Sequence, residues 1–461
     1  MAPGLLFKAW CLVLFWGVLG VGAGGRVQAL RAQGLSRDTV SVMMYNMLYY
    51  GVNTTFCTGT NNSVFNKNTH LMTLLNHTAP DLLGVCEMGP NTTANLGFLT
   101  NVLNNGGRSG YIRANPMNPS GSDIISLLYY NSLKFGIERQ QAIPTQGRDI
   151  AFYRLYHKPV PASGDTVWLQ VAVAHLKAGG TAADVTQRGQ EAGSLVQFLR
   201  QQNFRGNLLV MGDLNVSAST EPAFDSLSQG GTLPYHRLRD PVSRPGSWGG
   251  NSSFALWHTQ STRITSNGCI SGGGLDDRYD HILVNDFVLG DSAGVRYLPA
   301  SFRVLGNDGN RFNGNVNGTF NASVPVAVAN ALYEISDHLP VTLKLAVGAG
   351  RPTNLEDSGW EGNPARAFER LALVWEEVGT GIGRVLLPVM PHEGVWDWRL
   401  RSLDGRVLVF GTEPAWSHQD KFWQIPEETR GMTALEWEWR PLDPKLRGYR
   451  KVLTVPVHGL R

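Results

Sequence analysis

Residues 207–215 read NLLVMGDLN. A short apolar run ends at Gly212, and a carboxylate and a carboxamide follow at once, Asp213 and Asn215. Bounded apolar runs of this length read as buried strands. A strand end holds a side chain at the rim of a sheet while the backbone stays fixed, so a preorganised site can be built there. The same design recurs on either side. Runs 39–45 (TVSVMMY), 82–86 (LLGVC) and 167–174 (VWLQVAVA) lead into Asn46, Glu87 and His175. Run 281–284 (HILV) opens just after Asp280, and run 340–346 (PVTLKLA) follows Ser336-Asp337-His338. A further strand is expected at 124–130. Helical spacing appears at 67–77, with Leu71, Leu74 and Leu75 on one face, and at 187–201, with Ala192, Leu195, Val196 and Leu199. Many strands and few helices predict a mixed-sheet sandwich flanked by helices.

The residue types at these ends favour one chemistry. Glu87, Asp213, Asp280 and Asp337, with the amides Asn46 and Asn215, are hard oxygen donors that suit Mg²⁺ or Mn²⁺, with Ca²⁺ also admissible, rather than zinc. His175 and His338 can shuttle protons or stabilise a developing oxyanion. No HExxH or GxxxxGK[ST] motif is present, so a zincin and a P-loop enzyme are unsupported. Water activated by a carboxylate near a metal suffices to hydrolyse a phosphoester. Each residue alone has an ordinary explanation: Asn46 and Asp213 in turns, His175 as a satisfied edge histidine, Asp280 as a partner of Arg278.

The order Asn, Glu, His-Leu, Gly-Asp-Leu-Asn, Asp, Ser-Asp-His resembles the endonuclease/exonuclease/phosphatase family, which contains deoxyribonucleases, abasic-site endonucleases, sphingomyelinases and inositol polyphosphate 5-phosphatases. GDLN together with SDHLPV carries the match, and GLDDRYDHILV and GNDGNRFN resemble a secreted bacterial branch. The resemblance implies an α/β (α+β) four-layer sandwich over 38–347, two packed mixed β-sheets flanked by helices. It implies that Glu87 is the main metal ligand with Asn46 beside it and Asp337 adding to the shell. Asp213 would orient or deprotonate the attacking water, and Asn215 would fix the phosphate and that aspartate. His338, held by Asp280, would contact the scissile phosphate. His175 would stabilise phosphate charge or protonate the leaving oxygen. One departure concerns duplex DNA. The stretch NPSGSDIISLLYYNSLKF offers Ser122, Asp123 and Lys134 but no arginine. Arg113, Arg148, Arg188 and Arg278 remain as phosphate contacts or surface arginines, and Trp248 and Trp257 either stack a base or pack a loop.

The rest of the chain bounds this reading. With 461 residues there is room for two or three domains, and a net charge of +3 forces neither a nucleic-acid nor a membrane partner. Lys8, an uncharged run to Gly25 and small residues before Ala29 read as a signal peptide over 1–29, with an uncleaved membrane anchor as the rival. No later segment reaches spanning length, so a secreted or cell-surface protein is expected, and a monomer. Charge density rises and most of the 13 tryptophans fall after residue 350. A linker is placed at 348–362 and a small all-β sandwich at 363–461, with strands at 371–375, 384–390, 395–400, 406–411, 422–425, 434–439 and 449–455. GNPARAFERLAL, SLDGRVL and the basic last strand resemble a type IX secretion sorting domain, which implies secretion machinery as a partner. Among the cysteines, Cys57 and Cys269 lie in polar loops where they could pair, and Cys86 reads as a buried small hydrophobe. The expectation is a secreted divalent-metal phosphodiesterase, foremost an endonuclease acting on nucleic acid. A sphingomyelinase with the same residues is one alternative, and a non-catalytic adhesion protein on a degenerate fold is the other.

Overall fold

The computed structural model describes residues 37–158, 166–202, 205–229, 236–318 and 320–348, together with strand segments between 374 and 457. The expected signal segment, the body of the linker and the Asn363-Pro364 start lie outside the described residues.

One sheet is built from β1 (Asp38–Tyr50), β2 (Leu82–Met88), β3 (Tyr111–Arg113) and β4 (Ile125–Asn131), joined late in the chain by β11 (Val295–Tyr297), β12 (Arg303–Val304) and β13 (Val341–Val347). Its order is β11-β13-β1-β2-β4-β3, with β12 also on β13. The second sheet contains β5 (Phe135–Ile143), β6 (Ile150–His157), β7 (Trp168–His175), β8 (Asn207–Asp213), β9 (Leu238–Arg239) and β10 (Asp280–Asn285) in the order β5-β6-β7-β8-β10-β9. The helices are α1 (Val64–Thr78), α2 (Thr92–Phe98), α3 (Ala182–Gln202), α4 (Pro222–Gln229), α5 (Asp286–Gly290) and α6 (Val326–Ile335).

The period of two along β8 shows why four layers form. Leu209 and Met211 face the core between the sheets, where they join Val42, Val85 and Leu127 of the first sheet. Leu208 and Val210 face the other way, against Leu195 and Leu199 of α3. A strand buried on both faces reads as a continuous apolar run, and this one does. On the far side, Leu71 and Leu74 of α1 and Leu332 and Ile335 of α6 belong to the first sheet's core.

Strand direction places the site. β1 and β2 are parallel, as are β7 and β8, and α1 and α3 make the two crossovers. β13 runs antiparallel to β1 and β10 antiparallel to β8. The C-terminal ends of four strands and the N-terminal ends of two others therefore share one rim. Asn46, Glu87, His175, Asp213, Asp280 and the 336–338 turn lie on it.

Several elements differ from expectation. β1 continues past Asn46 to Tyr50 through an irregularity in its ladder. The structure adds β3, β5, β6, β9, β11, β12, α2, α4, α5 and α6 to the expected elements, and β5 (FGIERQQAI) is a half-exposed edge strand. Lys134 is far from the rim, pairing with Asp38 and Asp81 at 3.1 Å near the start of β1. Cys57 and Cys269 form a disulfide, and Cys86 is free and buried. Among the described residues beyond 373, seven strands make a three-stranded sheet and a four-stranded sheet. The first two, Val374–Gly379 and Ile382–Leu386, are displaced from the expected 371–375 and 384–390 and pair antiparallel. In the larger sheet Trp396 is opposite Trp439, Trp398 opposite Trp437 and Leu400 opposite Leu435, so the two alternating patterns share a register.

Gly212 has a steric reason. A Cβ there would collide with the Ala174 carbonyl oxygen on β7, between His175 and Asp213. Gly212→Ala should force β7 and β8 apart and destabilise the protein by about 1–3 kcal/mol, the usual cost of overpacking, with activity falling in step. Denaturant unfolding checks this. An unchanged midpoint would show that the strands have room to spare.

Candidate active site

The rim begins with a strained turn. After Asn46, β1 passes through Leu48 and Tyr49, both with φ of 46°. Non-glycine residues in this left-handed region are uncommon, and such strain clusters at functional sites. Lys67 of α1 reaches up from below and donates from Nζ to the carbonyls of Met47 and Leu48 at 2.9 and 2.7 Å. Burial lowers this lysine to about 7, with Glu87 and Asp337 opposing the drop. Glu87 ends β2, itself at φ 54°, and accepts the Tyr49 main-chain N–H at 3.1 Å.

Asn46 joins the two sheets. Its Nδ2 donates to Glu87 Oε1 and to Asp213 Oδ2, both at 3.0 Å. Its Oδ1 accepts from the Leu48 main chain at 2.9 Å. Expected as an oxygen donor to a metal, Asn46 instead presents its NH₂ to the two carboxylates, because the left-handed turn captures its oxygen.

Asp213 is the hub. It lies opposite His175 on β7 and Asp280 on β10. Its Oδ2 is 3.5 Å from His175 Nε2 and 3.7 Å from His338 Nε2, and its Oδ1 accepts from the Asn215 main chain at 3.0 Å. The Asn215 side chain donates to the Leu176 carbonyl at 3.1 Å. His338 Nδ1 meets Asp280 Oδ2 at 2.7 Å. Asp280 does not pair with Arg278, which is buried against Asp240 at 2.8 Å and stacked over Trp248. Asp337 Oδ2 accepts from Gln260 Nε2 and from the Ser271 main chain, both at 3.3 Å.

Among the arginines, Arg188 is buried on Glu221 at 2.7 Å, and Arg113 contacts Asn95. Arg148 alone of the four borders the site: its Nε donates to the His175 carbonyl at 3.0 Å, and its charge bears on both His175 and Glu87. Trp248 is fully buried and Trp257 packs near Phe302, so both pack loops. Gln260, which also reaches His338 Nε2 at 2.8 Å, had no signal in its polar loop. Lys67 had one: it stands on the apolar stripe of α1, one turn before Leu71.

The electrostatics split the two imidazoles. Burial lowers His175 well below its ordinary value, with Arg148 and His338 adding to the effect. Burial also opposes charge on His338, yet Asp280, Asp213 and Asp337 raise it well above its ordinary value. The surroundings thus favour the neutral form of His175 and the protonated form of His338. Burial raises Glu87, with Asp337 adding to it. Burial pushes Asp213 up to about 7, Asp280 and Glu87 contributing and His338 opposing.

The donor set fits a divalent cation. Glu87, His175 and Asp213 bring ligand atoms within 4.8 Å of one another, as do Asp213, Asp280 and His338. Asp337 Oδ1 and Asp280 Oδ1 are buried and make no hydrogen bond among the described residues. Buried carboxylate oxygens without partners are costly unless a cation offsets them.

The family model of the endonuclease/exonuclease/phosphatase family matches residues 52–338. No match was found among curated proteins. Similar solved structures include a functionally unknown conserved protein from Enterococcus faecalis V583, at 15% identity over 67% of this chain and 100% of that one, TM-score 0.41. An endonuclease/exonuclease/phosphatase from Beutenbergia cavernae DSM 12333 matches at 14% over 90% and 100%, TM-score 0.39. The human nocturnin catalytic domain matches at 15% over 68% and 97%, TM-score 0.39.

The raised carboxylates make metal-free stability depend on pH. An unfolded aspartate titrates near about 3.9, whereas folded Asp213 titrates at about 7. The native state holds the extra proton between these values, so this contribution is full below the unfolded value and lost as pH rises through the folded one. Glu87 and His338, both raised, act in the same direction. Buried His175 and His281, both lowered, act in the opposite direction below about pH 6.5. The test is therefore a difference: in chelator the melting temperature of the wild-type protein should fall relative to that of Asp213→Asn between about pH 5 and 8. A difference that stays flat or grows in favour of the wild type contradicts the assignment.

Proposed function

The chain belongs to the endonuclease/exonuclease/phosphatase family, metal-dependent hydrolases of phosphoester bonds, and from that premise we propose that it is a secreted phosphodiesterase whose substrate is nucleic acid. The observation that carries the reading is the position of Asp213, buried between two imidazoles that its surroundings shift in opposite directions and bridged through Asn46 to Glu87.

Glu87 and Asp337 would hold the cation, which supplies positive charge against the phosphate as negative charge develops. Asp213, with a pKa near the working pH, takes the proton of the attacking water, as general-base catalysis requires. His338 carries its proton on an imidazolium oriented by Asp280, donates to a phosphate oxygen through Nε2 and passes the proton to the leaving oxygen. His175 is neutral and has no surplus proton, so its part is a hydrogen bond rather than acid catalysis. Arg148 is placed to add charge at the phosphate. The Asn215 amide, occupied by Leu176, holds the turn that aims Asp213.

Export is supported by the disulfide between Cys57 and Cys269, 212 residues apart, since such bonds persist in oxidising compartments. Among the described residues no helix is long and apolar enough to cross a membrane.

The test is hydrolysis of plasmid DNA, RNA, sphingomyelin and a chromogenic phosphodiester with Mg²⁺, Mn²⁺, Ca²⁺ or chelator. Nucleic acid should be cut with metal and spared in chelator. Cleavage of sphingomyelin alone would move the substrate to a lipid, and full activity in chelator would sink the metal role. Glu87→Gln should regain part of its activity at high metal concentration. Asp280→Asn and His338→Ala should each lower turnover on the order of 10²–10⁴-fold. Their double mutant should be little worse than either, because residues acting as a unit are not additive. Turnover at saturating metal reads this, and multiplicative losses would dissolve the pair.

A further inference from the structure

The strained turn after Asn46 has a purpose that the chemistry above does not use. Two consecutive left-handed residues, Leu48 and Tyr49, cost conformational energy, and Lys67 is buried to hold the carbonyls of Met47 and Leu48. The turn lifts Tyr49 out of the strand and over the rim. Its main-chain N–H grips Glu87, while its ring is half-buried, with the phenol in the field of Glu87, Arg148, Asp123 and Asp337. Phe56 meets this ring edge-on, with centroids 5.3 Å apart and planes at 89°. Phe56 itself is 47% exposed. Its neighbour Cys57 is tied to Cys269, and that disulfide packs with Leu48 and Ile270 in a small apolar cluster under Tyr49. The ring is thus supported from below by the disulfide cluster and from the side by Phe56.

We propose that Tyr49, buttressed by Phe56, is a stacking platform for the nucleobase next to the scissile phosphate. This deepens the nucleic-acid reading above and rests on it. A rigid aromatic ring beside a phosphate site, with one partner ring fixing its tilt, matches the way single-stranded nucleic acid is held, where a base stacks on an aromatic side chain and every base offers a π-face. An acyl chain would need a broad apolar surface, whereas the loop around this ring is polar: Asn53 and Thr55 are exposed and Thr54 is spent on the main chain of Phe56 and Cys57. The platform selects for a base without selecting which one, since its hydrogen-bonding edge is left unread. It places the base on the Glu87 side of the site, on the same turn that anchors Asn46.

Two esters with the same leaving group test this: thymidine 5′-(p-nitrophenyl phosphate) and methyl p-nitrophenyl phosphate, both read by released p-nitrophenol. The wild-type protein should prefer the nucleoside ester in kcat/KM. Tyr49→Ala should shrink that preference by about 5- to 150-fold, the range of one base–aromatic stack, chiefly through KM. Tyr49→Phe should keep it, and Phe56→Ala should lose part of it. A merely structural role would lower both esters together and leave the ratio unchanged, which overturns the platform. A Tyr49→Phe loss equal to that of Tyr49→Ala also overturns it, by assigning the effect to the hydroxyl. Calorimetric binding of a short oligothymidylate to the full chain reads the same platform without turnover. If neither ester is hydrolysed but Tyr49→Ala weakens oligothymidylate binding by that factor, the catalytic reading fails and the platform stands. If both esters are hydrolysed and binding is unchanged by Tyr49→Ala, the platform fails and the catalytic reading stands.

Discussion

The amide of Asn46 is the interaction on which the site depends. It reaches Glu87 on its own sheet and Asp213 on the facing sheet with two hydrogens of one nitrogen. Two buried carboxylates repel each other, and in a low-dielectric interior that repulsion is large. A shared NH₂ offsets part of it and sets the distance between the halves of the site. The amide can serve this way because its oxygen is already committed to Leu48, which depends on the left-handed turn, which depends in turn on Lys67.

The two halves of the domain solve the same problem twice. In each, a parallel strand pair with a helical crossover ends in polar residues at the rim, and an antiparallel strand flanks the pair. They differ in what the rim carries. The first half supplies the Glu87 carboxylate and the Asn46 NH₂ with a strained backbone. The second supplies the close β7–β8 contact at Gly212, which lets Asp213 stand opposite His175.

Much of this was legible because strand ends are local. A short apolar run flanked by a polar residue marks both the strand and its rim position: Asn46, Glu87, His175 and Asp213 follow such runs, and Asp280 and His338 precede them. The residues that escaped act through space. Gln260 comes from a loop without period or composition to mark it, and meets Asp337 and His338 only because the fold brings them together. The amide orientation of Asn46 depends on a backbone turn that no spacing announces. Arg278 could not be separated from Asp280 in sequence, where they stand two apart. In the structure it turns to Asp240, so that Asp280 is left to His338. Edge strands such as β5 escaped for another reason: half of their residues face solvent, and the alternation is blurred.

The pairing of β1 with β13 has a consequence for synthesis. Asp38 lies opposite Val347, so the first and last strands of the domain are neighbours in the middle of a sheet. A ribosome must deliver nearly the whole domain before β1 has its second partner, β13. Contacts this distant in sequence make folding slow, because loop closure precedes any reward from pairing. Asn46 and the 336–338 turn come together in that same late step. A growing chain therefore keeps Asp337 and His338 away from the rim that carries Asp213 and Asp280 until the closing strand arrives.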